Sequence, residues 1–248
     1  MFTIPQASAY DLNFRLFRVP IRVSPFFWLI IALLGFGWLD LGFVPWLIWI
    51  ACAFVSLVLH EMGHVLMGRW FGTAGQIVLH GFYGLSINAA NLPLWWQRLL
   101  VHLAGPGIQL VLWGILFALI ETGVIGSPPR LVSLTLVMLL LINLYWPLIN
   151  LLPIFPLDGG QVLRELLERF NPLNGLRRTL QISLGVSLGL MGLMLVGMAE
   201  PSLRLLPFNS VFLLIFFGLF AFNNYTLLQQ VPARRSLFDY DDRLPWQR

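Results

Sequence analysis

The sequence predicts an all-α polytopic membrane protein of about six transmembrane helices, with one small membrane-associated β-hairpin. Three observations carry this reading. Of 248 residues, 58% are hydrophobic and only 10% charged, whereas soluble domains rarely exceed half apolar. The apolar residues come in blocks long enough to cross a hydrocarbon layer about 30 Å thick. One stretch, Gly72 to Leu92, departs from these blocks with glycines and alternating apolar residues, which is the period of a strand. The balance of charge narrows the partners. The formal charge of +4 rests on 15 Arg and no Lys, which suits anionic lipid headgroups; no aromatic-plus-basic motif points to nucleic acid. A single cysteine, Cys52, excludes an intrachain disulfide and a Cys-rich metal site.

Residues 1 to 24 form a lead-in with Arg15, Arg18 and Arg22; no small-residue cleavage site follows a short apolar core. Alternation from Asn13 to Val19 suggests a short surface strand or interfacial segment. The first span is expected over Pro25 to Leu39, closed by Asp40, Gly42 and Pro45 as turn residues. The second runs from Pro45 to Trp70, and Gly72 to Leu92 gives a β-hairpin or re-entrant segment packed against the spans. The third covers Trp95 to Ile120 and the fourth Arg130 to Ile149. Beyond it, Pro153 and Pro156 cannot continue a regular helix. A short charged helix over Gln161 to Phe170 follows, then spans over Leu176 to Met198 and Pro207 to Leu228. Residues 1–248 are expected to form a single membrane domain, with a catalytic three-helix core and hairpin over 45–170, a lead-in and first span over 1–44, and accessory fifth and sixth spans with the tail over 171–248.

Six spans place both termini on one side. That side receives thirteen arginines and the other only Arg130 and Arg204, so both termini are expected in the cytoplasm. The ends of the second and fourth spans then share the cytoplasmic side.

The second span carries His60-Glu61-Met62-Gly63-His64. Residues four apart share one helix face, and two imidazoles at that spacing can grip one Zn²⁺, with the glutamate between them free to act on water. Ionisable groups at membrane depth default to a functional reading. A catalytic zinc normally takes three protein ligands. Candidates for the third are His80, His102, Asp158 and Glu121; Glu121 falls on the far side. Asp158 has the best case, at a broken helix end beside Gly159 and Gly160. Its blander role is to cap the helix that follows, and both roles can hold. Asn150 could position a substrate backbone or an oxyanion, or tie down the unravelled helix end. His102 and His80 read more simply as hydrogen-bonded packing residues. The small residues Ser183, Gly185, Ser187, Gly189, Gly192 and Gly197 suit helix packing, or the seam of a homo-oligomer.

The two stretches His60–His64 and Asn150-Leu-Leu-Pro153-Ile-Phe-Pro156-Leu-Asp158-Gly159 together resemble the site-2 protease family of intramembrane zinc metalloproteases. The resemblance covers residues 45–170. It implies one Zn²⁺ per chain held by His60, His64 and Asp158, Glu61 as the catalytic acid/base, and Asn150 as a substrate-positioning residue. It further implies cleavage of transmembrane protein or peptide substrates near the cytoplasmic face of a prokaryotic cell membrane, with the hairpin as the strand region where an extended substrate would pair. Ala104-Gly105-Pro106-Gly107-Ile108-Gln109 resembles the family's Gly-Pro element, with Gln109 where members often carry Asn. Two rival readings remain at this stage. A binding protein of the same fold with an impaired site is disfavoured by the intact Glu61. A metal or ion transporter would also bury His and Asp, but would show paired broken helices in two related halves.

Overall fold

A computed structural model describes residues 8–81, 83–86, 92–200 and 210–231. The chain divides into two compact units, Met1–Leu152 and Pro153–Arg248.

The first unit opens with strands β1 (Leu12–Leu16) and β2 (Val19–Val23), paired antiparallel. Their two-residue turn puts Phe17 and Arg18 at φ 48° and 62°, the left-handed region that matches hairpin twist but strains bulky side chains. Arg69 braces the turn, donating from Nη1 to the Phe17 carbonyl and from Nη2 to the Arg18 carbonyl, each at 2.9 Å. In β2, Val19, Ile21 and Val23 are buried while Pro20 faces out, as a pleat with one packed face requires.

β2 pairs in parallel with β3 (Ile77–His80), and β3 pairs antiparallel with β4 (Tyr83–Ser86), giving a four-stranded sheet in the order β1-β2-β3-β4. The expected hairpin is therefore present, with Gly81 at φ +62° in its turn. Its continuation toward Asn88 lies outside the described residues. The alternation near Asn13 belongs to a true strand, joined to that hairpin by β2.

Helix α1 (Pro25–Leu34) begins at Ser24, whose hydroxyl accepts from the Phe27 amide, with proline in its first turn, an arrangement that suits a helix start. It has 10 residues and gives way to a 3₁₀ segment over Phe36–Leu41. It is thus shorter than the expected Pro25–Leu39 span and, at about 15 Å, shorter than a hydrocarbon core. The reason lies at its end. Trp46 donates its indole N–H to the Ala32 carbonyl at 3.0 Å, which gives a helix-end acceptor a partner within the protein, and Trp49 donates at 3.2 Å to the Ile31 carbonyl, which also accepts from the Gly35 amide. The Trp49 ring fills the space a Cβ on Gly35 would need.

The long helices match their expected spans closely. They are α2 (Phe43–Trp70), α3 (Trp95–Glu121) and α4 (Arg130–Asn150). The second unit holds α5 (Asp158–Phe170), α6 (Gly175–Ala199) and α7 (Ser210–Gln230); residues 207–209 of the expected last span lie outside the described residues. Among the described residues, five helices are long and apolar enough to cross a membrane, with α1 as a shorter apolar helix beside them. Only 17–44% of their most apolar windows is buried inside the protein. Side chains such as Val111, Ile115, Leu188, Leu195 and Phe222 point outward, an apolar surface far larger than water tolerates. This is an integral membrane protein.

Candidate metal centre

The centre is built on α2, which packs against both α3 and α4. Ser56, His60, Glu61 and His64 are at most 5% exposed. The two imidazoles stand nearly perpendicular, at 80°, with Nε2 atoms 3.1 Å apart.

Each ring is oriented from behind. The Nδ1 of His60 lies 2.8 Å from Oε1 of Gln109, and the Gln109 amide donates in turn to the Ser56 carbonyl at 3.1 Å. The Nδ1 of His64 lies 2.6 Å from the Val101 carbonyl. Both partners are acceptors, so each Nδ1 carries the proton and donates, and each Nε2 presents a lone pair. Two lone pairs this close call for a cation between them. Nitrogens each about 2.05 Å from a tetrahedral zinc stand about 3.3 Å apart. The pair therefore fits such an ion.

Glycines create the space. A Cβ on Gly63 would meet the Ala104 carbonyl, and one on Gly105 would overlap the His64 ring. The Gly-Pro element of α3 thus lets two helix backbones approach so that Val101 and Gln109 reach the imidazoles. Pro106, inside α3, lacks the N–H that a regular turn would use. Deeper in the unit, the Asn143 amide donates to the Ser56 hydroxyl at 2.9 Å and to the Leu139 carbonyl. This fixes the turn of α2 just before His60.

Of the five site residues expected from the sequence, His60, Glu61 and His64 share one buried stretch of α2. Asn150 closes α4 in the same unit, half-buried, its amide donating to the Trp146 carbonyl at 3.1 Å. That bond is the helix-tying role foreseen for it. Asp158 belongs to the second unit. It is the first residue of α5, half-buried, and the cap position falls on Leu157 with no side-chain cap bond; the capping role foreseen for Asp158 does not apply. Gly160 has no room for a Cβ, because the backbone of Ile154 and Phe155 lies against it. Of the other histidines, His80 ends β3 with its ring 5.4 Å from that of Phe26, and His102 is half-buried on α3.

Sequence reasoning gave Gln109 no partner and missed the steric roles of Gly63 and Gly105. The signal was present in the Gly-Pro element, whose small residues mark close backbone approach.

Comparison with known proteins agrees with this centre. A profile described as Peptidase family M50 matches residues 126–194, a stretch that contains Asn150 and Asp158. A putative zinc metalloprotease of Synechocystis is 35% identical over 169 residues, covering 61% of this chain and 42% of the relative. A zinc metalloprotease of Methanocaldococcus jannaschii is 26% identical over 210 residues, covering 83% and 58%. Stage IV sporulation protein FB of Bacillus subtilis is 31% identical over 155 residues, covering 61% and 49%. The chain spans about half the length of the curated relatives it matches. The solved structure of a site-2 protease from M. jannaschii superposes with a TM-score of 0.58 at 22% identity, over 92% of this chain and all of that one, which establishes the fold. Residues 126–194 thus resemble peptidase family M50, and the chain shares the fold of a solved site-2 protease.

Proposed function

We propose that this protein is a membrane-embedded zinc metalloendopeptidase that hydrolyses peptide bonds in or near transmembrane segments of protein substrates. The observation that carries the reading is the pair of imidazoles, each oriented through its own Nδ1, with Glu61 buried on the same turn of α2. The zinc metalloproteases among its relatives support zinc as the metal, one ion per chain. His60 and His64 supply two ligands through Nε2. Asp158 supplies the third, a role supported by its place in the Asn150–Gly159 pattern and by a match to the family profile that spans it. When bound, zinc would polarise a peptide carbonyl and lower the pKa of water beside it to about 7.

Glu61 acts as the acid/base. It accepts the proton of the attacking water and passes it to the leaving amine. Its near-complete burial keeps bulk water from competing for that proton. Asn150 positions the substrate backbone; its Nδ2 bond to Trp146 leaves Oδ1 as an acceptor for a substrate amide. Residues 45–170 form the catalytic core, preceded by a lead-in and first span over 1–44 and followed by accessory spans over 171–248. The arginine excess on one side of six spans supports both termini and the centre facing the cytoplasm of a prokaryotic cell, a reading that needs α1 and its 3₁₀ continuation to serve as the first crossing. Labelling of cysteines introduced at the two termini in intact cells and in inverted vesicles tests that arrangement.

The decisive experiment compares cleavage of a single-span substrate in detergent by the wild type and Glu61→Gln. Loss of at least a hundredfold is expected, with metal content unchanged. Equal cleavage by both would remove the assignment of proteolysis to this site.

A further inference from the structure

We infer that α6 and α7 hold in place the loop that presents Asp158, with Ser183 and Asn224 as positioning residues for that carboxylate. The inference rests on the reading of Asp158 as a metal ligand.

The loop between α4 and α5 is non-helical backbone in an apolar setting, where every N–H and C=O needs a partner inside the protein. Pro153 and Pro156 carry no N–H, so the burden falls on the residues between them. Phe155 spends both of its backbone groups on the accessory helices. Its N–H donates to Oγ of Ser183 on α6 at 2.9 Å, and its carbonyl accepts from Nδ2 of Asn224 on α7 at 2.6 Å. The Ser183 hydroxyl also donates to the Pro153 carbonyl at 3.3 Å, so one side chain serves two loop residues as acceptor and donor.

What is held at Phe155 is transmitted to Asp158 by short range contacts. The Leu157 amide donates to the Ile154 carbonyl at 2.8 Å. Gly160, two residues past Asp158, lies against the backbone of Ile154 and Phe155 with no space for a side chain. The first turn of α5 therefore rests directly on the segment the two helices grip.

Simple helix packing is the competing account, and the bonding argues against it. Polar residues that only glue membrane helices bond from helix to helix. Here Ser183 and Asn224 both direct their inter-element bonds into the loop. Both are fully buried, although α6 and α7 otherwise present long apolar faces outward. Polar side chains within a span are costly and default to function. The Asn224 side chain is fixed locally as well, sharing its amide with the Phe220 carbonyl at 2.8 Å.

The test uses the full chain in detergent, loaded with Zn²⁺ or Co²⁺. Zinc affinity is measured by competition with a chromophoric chelator, metal geometry by the visible spectrum of Co²⁺, and loop protection by hydrogen exchange of peptides covering residues 153–157. Ser183→Ala and Asn224→Leu should each bind zinc about 10–100-fold more weakly, alter the Co²⁺ spectrum and speed exchange in the loop. Ser183→Thr, which keeps the hydroxyl, should restore all three. Leu188→Ala, an outward residue of the same helix, should change none. Asp158→Ala separates the two levels of the argument. Undiminished zinc affinity there overturns the ligand reading itself. Loss there, beside wild-type affinity, spectrum and exchange in Ser183→Ala, overturns the positioning role alone. Should Asn224→Leu fail to fold, the Ser183 Ala and Thr pair decides the matter.

Discussion

The two units hold their proposed metal ligands by different means. In the first, His60 and His64 sit on one continuous helix, so the backbone already sets their separation. Neighbours only choose the rotation and tautomer of each ring, as Gln109 and the Val101 carbonyl do. In the second, Asp158 follows a loop whose backbone cannot set its own position. There Ser183 and Asn224 bond the main chain itself. A helix needs its outer contacts for ligand chemistry; a loop needs them for geometry first. The contrast predicts separate phenotypes. Removing a ring's orienting partner on α2 should fall mainly on metal affinity, while changes around the loop should lower stability as well.

The most damaging change should be Gly105→Val. Its side chain would occupy the volume of the His64 imidazole, and the ring has little freedom while its Nδ1 stays bonded to Val101. We expect zinc affinity to fall at least a hundredfold, close to outright loss of one ligand, with helix content by circular dichroism retained. Near wild-type affinity would show that α3 can retreat from α2, and the contrast between units would weaken.

Next comes Gln109→Leu. The volume is kept and the Oε1 that faces the His60 Nδ1 is lost. The expected cost is about 10–100-fold in zinc affinity, read by chelator competition. Gln109→Glu keeps an acceptor and should recover much of it. Equal affinity in all three proteins would mean that His60 needs no orienting partner.

How much of this was legible in the sequence depends on how far each contact reaches along the chain. The histidine pair was readable because its geometry is four residues of one helix. The prolines at 153 and 156 announced the broken end for the same local reason. Gln109 was not readable, since it lies 49 residues from His60 and meets it only because Gly63 and Gly105 let α2 and α3 close in. Nor was the early end of α1. Apolar composition runs unbroken through Gly35 and Gly37, and the indoles that terminate the helix come from α2. Alternation revealed β1 and the later hairpin. The parallel pairing of Ile21 with Ile77, which makes them one sheet, has no local signature.

For the second unit, Gly160→Ala asks whether the loop is held by bonds alone. A methyl group there would press on the backbone between Ile154 and Phe155. Overpacking of this kind costs about 1–3 kcal/mol, and a lowered thermal midpoint should accompany weaker zinc binding. Lower affinity with an unchanged midpoint would make the loop behave like α2 and erase the distinction.

The smallest effect should come from the outer face of α5. Arg164 and Glu168 form an i,i+4 pair at 2.8 Å, with side chains 37% and 31% exposed. Pairs this exposed contribute about 0.5 kcal/mol or less, and neither residue bonds the loop. Glu168→Gln should therefore leave zinc affinity and loop exchange at wild-type values, with a stability change near the limit of measurement. A clear drop in affinity would mean that Asp158 is steadied from the far side of its own helix as well. The division of labour between loop-gripping helices and the helix they support would then have to be redrawn.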